Sequence, residues 1–257
     1  MKKSIAIHSY KGGTGKSSIA ANLAVAYAKQ GSDVCLLDYD FRAPSLHVLF
    51  KVKPQHWLNE FLEGNCKIEE ATADATQRYG TKGKLIIGLA NPSVDSMREM
   101  MSKDRKWEMK ALHKTLSAKK TIFNDLDMNY LIFDTGPGMY YSSINALASS
   151  DLVALVTKMD KFDVEGTKEM IKGIYKALGR KTGILLNKIP AQQITSGGGP
   201  EEMAKLVEGI FELPLIGTIP CFCELMATGG RLIYTHEEPQ HAFSQAILRI
   251  AKKLEQF

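Results

Sequence analysis

The stretch Tyr10-Lys11-Gly12-Gly13-Thr14-Gly15-Lys16-Ser17-Ser18 constrains the fold more than any other part of the chain. It follows a short apolar, β-branched run at 4–9 and leads into a helical pattern from Lys16 to Lys29. Glycines at this density let a backbone wrap closely around an anion with its N–H groups pointing inward. The helix that follows adds the positive end of its dipole. In such a loop Lys16 reaches the β and γ phosphates of a nucleotide, and the Ser17 hydroxyl reaches Mg²⁺. The G-x-x-x-x-G-K-[ST] pattern fails at Tyr10, where glycine is expected. The form that fits is K-G-G-x-G-K-[ST], with an additional lysine at Lys11. At residue frequencies of about 6–7%, that string arises by chance on the order of 10⁻⁷ times per position.

Further apolar, β-branched runs at 33–37, 84–89, 130–134, 152–157, 182–187 and 215–220 read as strands. Most are continuously apolar rather than alternating, as strands buried on both faces should be. In the helix after the first strand, Ile19, Leu23, Ala26 and Tyr27 share a face and Gly31 is placed to end it. A second helix is expected from an N-cap at Asp163 to Leu178, stopped by Gly179. The least regular stretches are 44–83 and the glycine-rich 196–200, a loop entering a helix. Strand–helix alternation throughout predicts an α/β fold: one doubly wound, mostly parallel sheet with helices on both faces, as a single domain over 1–257. The 257 residues are 44% hydrophobic and 24% charged, with a net charge of +5, which excludes wholesale disorder. No apolar run approaches the ~18 residues a membrane span needs, and the N-terminus is too short in apolar residues for a secretory signal. Cys35, Cys66, Cys221 and Cys223 do not make a disulfide framework. A soluble, cytoplasmic protein is expected.

Two carboxylate clusters accompany the loop. The second strand ends in Leu37-Asp38-Tyr39-Asp40, and aspartates at i and i+2 leaving a strand lie where such sheets bind ligands. One can hold Mg²⁺ through its water while the other orients a water attacking the γ-phosphate. Another strand ends in Leu131-Ile132-Phe133-Asp134-Thr135-Gly136-Pro137-Gly138, where three apolar residues deliver Asp134 toward the metal's water shell.

The loop resembles the deviant Walker A motif of the MinD/ParA/Mrp family of ATPases, relatives of the nitrogenase iron protein. The resemblance implies a P-loop fold, ATP and ADP as ligands with Mg²⁺, and a dimer in which Lys11 touches phosphates bound by the other subunit. Lys11, Gly12, Gly13, Thr14, Gly15, Lys16, Ser17 and Ser18 are then the phosphate contacts, and Ser17, Asp38 and Asp134 the metal set. Asp38-Tyr39-Asp40 looks like the family's first switch, with Asp40 positioning the hydrolytic water. Asp134 to Gly138 is similar to its D-x-P-x-G second switch, with proline one place late at Pro137 and the Gly138 amide on the γ-phosphate. Asn187, ending the 182–187 strand, corresponds to an adenine contact, and Pro220 with Cys221 to a second adenine loop. Residue chemistry alone leaves GTP open; the resemblance favours ATP.

Three features bear on what such a switch would drive. Cys221-Phe222-Cys223 could supply two thiolates per subunit to Zn²⁺ or an iron–sulfur cluster across a twofold axis, as in metal or cluster carriers. The bland alternative is two small residues in a partly buried loop. The stretch 93–120 carries eight basic and four acidic residues, with Met97, Met100, Met101, Trp107, Leu112 and Leu116 interleaved. It reads as a solvated basic face over a core stripe, or as a surface for an acidic partner or DNA, as in ParA-type partition ATPases. Ala242, Phe243, Ala246, Ile247, Ile250, Ala251 and Leu254 form a stripe expected to pack in the core, which leaves no membrane-targeting tail. The six histidines show no metal or catalytic spacing. The leading expectation is an ATP-hydrolysing homodimeric switch with Lys11, Lys16 and Asp40 in the catalytic roles, acting on an unidentified partner protein.

Overall fold

Eight strands form one sheet in the order β3-β4-β2-β5-β1-β6-β7-β8. This is a computed structural model, and it describes residues 2–190, 192, 199–229 and 232–257. The strands are β1 (Lys3–His8), β2 (Val34–Tyr39), β3 (Thr72–Asp74), β4 (Leu85–Gly88), β5 (Tyr130–Thr135), β6 (Leu152–Thr157), β7 (Lys181–Ile189) and β8 (Leu215–Pro220). All pairs are parallel except β3–β4, an antiparallel edge that the apolar pattern did not announce. Its three residues are too few and too exposed to leave a periodic signal. The runs called from apolar continuity are buried throughout in β2, β4, β5 and β6, because helices cover both faces.

The longer helices are α1 (Lys16–Lys29), α2 (Val94–Ser102), α3 (Arg105–Asn124), α4 (Tyr141–Ser149), α5 (Lys161–Met170), α6 (Pro200–Phe211) and α7 (Ala242–Gln256). On one face α1 and α7 bury Ile19, Leu23, Phe243, Ile247 and Leu254 in a common core. On the other, α3, α4 and α6 pack Ala111, Ile122, Leu147 and Val207. The stripe on α7 is therefore core, as expected, apart from exposed Ala242.

Three local expectations are corrected. The N-cap of α5 is Asp160, not Asp163: the Asp160 carboxylate accepts the Asp163 N–H at 3.0 Å, so the helix starts earlier and takes in Phe162. That helix is not uniform to Leu178 but passes through a π-helical turn at Ile171–Tyr175 before Gly179 ends it. The basic stretch divides at Asp104, which caps α3, and the buried face of α3 is Glu108, Ala111, Thr115, Ala118 and Ile122. Trp107 and Leu112 are half-buried beside that face, and Met101, Met109 and Leu116 are exposed. The region 44–83 holds short helices at Leu46–Phe50, Leu58–Glu63 and Thr76–Tyr79. Of the glycine-rich 196–200, residues 196–198 lie outside the described residues, and Pro200 opens α6.

Candidate nucleotide site

The connection leaving β1 runs toward β2 on one side of the sheet, while that leaving β6 runs toward β7 on the other. Ligands of doubly wound sheets bind in the crevice such a reversal opens at the carboxyl ends of the strands. The glycine-rich loop lies at this end of β1. Gly15 is the N-cap of α1 in the left-handed region (φ 96°), and a Cβ there would stand 2.4 Å from Asn187 Nδ2. Asn187 Nδ2 donates to the Thr14 carbonyl at 2.7 Å, and its Oδ1 accepts the Lys188 N–H at 2.9 Å. The amide expected to read a base thus also braces the loop. Lys188, unremarked in the sequence, takes a left-handed φ of 58° and its ammonium donates to the Gly13 carbonyl at 2.9 Å.

Lys16 is buried, and its Nζ donates to Ser9 Oγ at 2.9 Å. Burial lowers its pKa, opposed by Asp134, Asp40 and Asp163. Asp38 and Asp134 are aligned across β2 and β5, and both are fully buried. Asp38 accepts from the Asp40 N–H at 3.1 Å and from the Leu46 N–H at 3.4 Å. Both oxygens of Asp134 are buried without a hydrogen-bond partner among the described residues. Burial pushes both carboxyls well above the carboxylate range; neighbouring acids add to the push, while the Lys16 ammonium opposes it at Asp134. Buried carboxylates facing one lysine and one serine hydroxyl are short of positive charge, and orphaned oxygens fit a hydrated divalent cation.

Asp40 sits at the rim, its Oδ1 accepting the Ala43 N–H at 3.1 Å. A Cβ on Gly136 would stand 3.0 Å from that oxygen, so Gly136, which sequence reasoning passed over, lets the two switch segments approach. Gly138 is engaged differently from expectation. Its N–H donates to the Ser9 carbonyl at 2.9 Å rather than pointing free, and its carbonyl faces His8 Nε2 at 2.9 Å. Lys11 is exposed, with Nζ 5.1 Å from the ring centre of Phe162, which is itself 75% exposed.

Beside the loop opens a cavity of about 320 Å³ that gathers Gly15, Ser18, Asn187, Pro220 and Cys221. Ile219, Phe222, Tyr234 and Phe243 are also part of its lining. The Tyr234 and Phe243 rings meet edge to face at 5.9 Å. An apolar slot with an amide at its phosphate end is suited to a flat heterocycle. The expected base contacts are thus together, whereas the aromatic lining was not legible because it comes from separate segments. Cys221 and Cys223 are both exposed. Within 93–120, Lys103 pairs with Glu63 and Glu99, and Lys119 with Asp151, so part of the basic charge is consumed within the chain.

Residues 2–185 match a family described as an AAA domain. An uncharacterized ATP-binding protein of Methanocaldococcus jannaschii is 30% identical over 259 residues, covering 99% of this chain and 88% of that protein. Among solved structures, the cell division ATPase MinD of Pyrococcus furiosus superposes with a TM-score of 0.77 at 23% identity, covering 100% of this chain and 99% of that one. The septum site-determining protein MinD of Pyrococcus horikoshii, complexed with Mg-ADP, gives 0.76 at 22% identity, covering 100% and 97%. Among the described residues no helix is long and apolar enough to cross a membrane.

Proposed function

The chain belongs to the AAA-domain, MinD/ParA/Mrp-type family of P-loop ATPases, and on that premise we propose that it is an ATP-hydrolysing switch: two copies close face to face around ATP and part after hydrolysis. Its output is a change of assembly state read by a partner protein. The observation that carries the reading is the buried alignment of Asp38 with Asp134 opposite Lys16 and Ser17 at the carboxyl end of the sheet.

The loop from Lys11 to Ser18 wraps the phosphates, with Lys16 leaving Ser9 to pair with the β and γ groups. Ser17, Asp38 and Asp134 would hold Mg²⁺, the latter two through its waters. Bound there, the ion would supply positive charge to the β and γ phosphates. Asp40 keeps one oxygen on the Ala43 N–H and offers the other to the attacking water. Positioning dominates such reactions, since the metaphosphate-like transition state needs charge stabilisation and alignment more than covalent help. Lys11 of each subunit, by resemblance, adds charge to the partner's phosphates. The adenine enters the cavity bounded by Asn187, Pro220 and Cys221.

Asp40→Ala tests the reading. The variant should bind ATP as the parent does, lose hydrolysis by about 10²–10⁴-fold, and accumulate as a dimer with ATP and Mg²⁺. Phosphate release and size-exclusion chromatography with light scattering measure the two effects. Hydrolysis at the parental rate removes Asp40 from its role, and a monomer at saturating ATP removes the sandwiched dimer.

A further inference from the structure

His8 closes β1 with its side chain entirely buried, an unusual place for an imidazole. Both ring nitrogens have partners. Nε2 lies 2.9 Å from the Gly138 carbonyl, and Nδ1 meets the Tyr175 hydroxyl. A carbonyl only accepts, so Nε2 carries the proton and Nδ1 accepts from the phenol. Burial, with the Lys16 ammonium beside it, lowers the imidazole pKa to about 3, so the ring stays neutral. Tyr175 is buried too, and burial raises its pKa, so it remains a donor.

The next residue holds Gly138 from its other flank, by the peptide that precedes it. Ser9 O accepts the Gly138 N–H at 2.9 Å, while Ser9 Oγ accepts from Lys16 Nζ at 2.9 Å and donates to the Lys11 carbonyl at 2.6 Å. A continuous path therefore runs from Lys16 through Ser9, Gly138 and His8 to Tyr175. Tyr175 ends the π-helical turn of the segment that begins with α5 and Phe162, beneath Lys11. π-Turns are rare and often mark functional positions.

We propose that His8 is the positioning residue of the second switch, holding Gly138 by its carbonyl, on the far side of the Cα from the N–H, and tying that orientation through Tyr175 to the α5 segment. The inference rests on the nucleotide-site reading above. When a γ-phosphate draws Lys16 from Ser9 Oγ, the Gly138 N–H exchanges the Ser9 carbonyl for a phosphate oxygen. The His8 bond to the Gly138 carbonyl is the pivot kept through that exchange. Without it, the backbone on both sides of the Gly138 Cα is freer to turn, the N–H is held less firmly toward the γ-phosphate and sensing weakens, while the loop and base cavity that hold ADP are untouched.

The test uses the full chain as His8→Leu, His8→Gln and Tyr175→Phe. Hydrogen exchange of the amides of 136 and 138–141 without nucleotide reads the pivot. Losing one buried hydrogen bond to the loop should speed exchange about tenfold in His8→Leu, and His8→Gln, which keeps a donor, should recover to within about threefold. In parallel kcat should fall about tenfold while ADP affinity stays within about twofold, a split that general destabilisation would not give. Tyr175→Phe, which removes the hydroxyl that holds Nδ1 and so one of the two constraints on the ring, should fall between. Unchanged exchange in folded His8→Leu overturns the proposal, as does an ADP affinity that falls in step with kcat. If His8→Leu does not fold, unchanged exchange in Tyr175→Phe overturns it instead. A parent protein that hydrolyses no ATP would sink the function proposed above, while the exchange measurement still decides the role of His8.

Discussion

At Gly15 two independent constraints fall on one atom that is not there. The backbone is left-handed, and the Asn187 amide occupies the space a Cβ would take. The amide cannot withdraw without releasing the Thr14 carbonyl and the Lys188 N–H, which it holds at 2.7 and 2.9 Å. Gly15→Ala should therefore cost stability of about 1–2 kcal/mol from the backbone alone, and displacement of Asn187 should add to it. ADP affinity should fall about tenfold or more, since the loop and the base cavity are both disturbed. Urea unfolding and calorimetry would measure the two, and an alanine variant with parental values in both would refute the coupling. The conformational need for glycine was readable from the loop, but its clash with a residue on another strand was not.

At the scale of the element, α3 shows how one misread position changes a face. Its sequence suggested a stripe through Trp107, Leu112 and Leu116, yet the helix buries Glu108 with Ala111, Thr115 and Ala118. Glu108 packs toward α4, where Asn145 Nδ2 donates to its carbonyl at 3.0 Å and approaches its carboxylate at 3.4 Å. Burial raises its pKa to about 7, against the opposing pull of Arg42. A carboxyl whose pKa is raised on folding favours the folded state when protonated. Stability from this group should therefore rise as pH falls from above 7 toward 4.5, where the unfolded chain also protonates. Glu108→Gln should be more stable than the parent by about 1–3 kcal/mol at pH 8 and lose that advantage near pH 5. Urea midpoints at both values would check it, and a constant difference between variant and parent would rule out Glu108 as the titrating group.

At the scale of the whole molecule, the nucleotide end of the sheet carries a group of exposed apolar side chains. Tyr10, Met139, Tyr140, Tyr141 and Phe162 are all exposed there, and Lys11 lies over Phe162. The proposed dimer accounts for both, because it covers the apolar groups and transfers Lys11 from an aromatic face to the partner's phosphates. Lys11→Ala should leave ADP affinity within about threefold of the parent, since the subunit's own phosphate contacts remain, yet abolish the ATP-dependent dimer and turnover. Light scattering with and without ATP would show it. A variant that still dimerised and hydrolysed ATP would refute the cross-subunit role.

What local chemistry decides is legible along the chain. The bounds of α1 follow from the loop and the Gly31 stop. The buried parallel strands follow from continuous apolar runs. Asp38, Asp134 and Lys16 follow from their places at strand and helix ends. Which of these meet depends on packing between distant parts of the chain. Asp38 and Asp134 become a pair because β2 and β5 are neighbours in register, and His8 gains meaning because a distant tyrosine and a switch glycine close around it. The base cavity is lined by aromatics from segments with no shared pattern. Periodicity and capping act over a turn or a strand, whereas partner choice across the chain is set by how layers pack, and no window of sequence contains that.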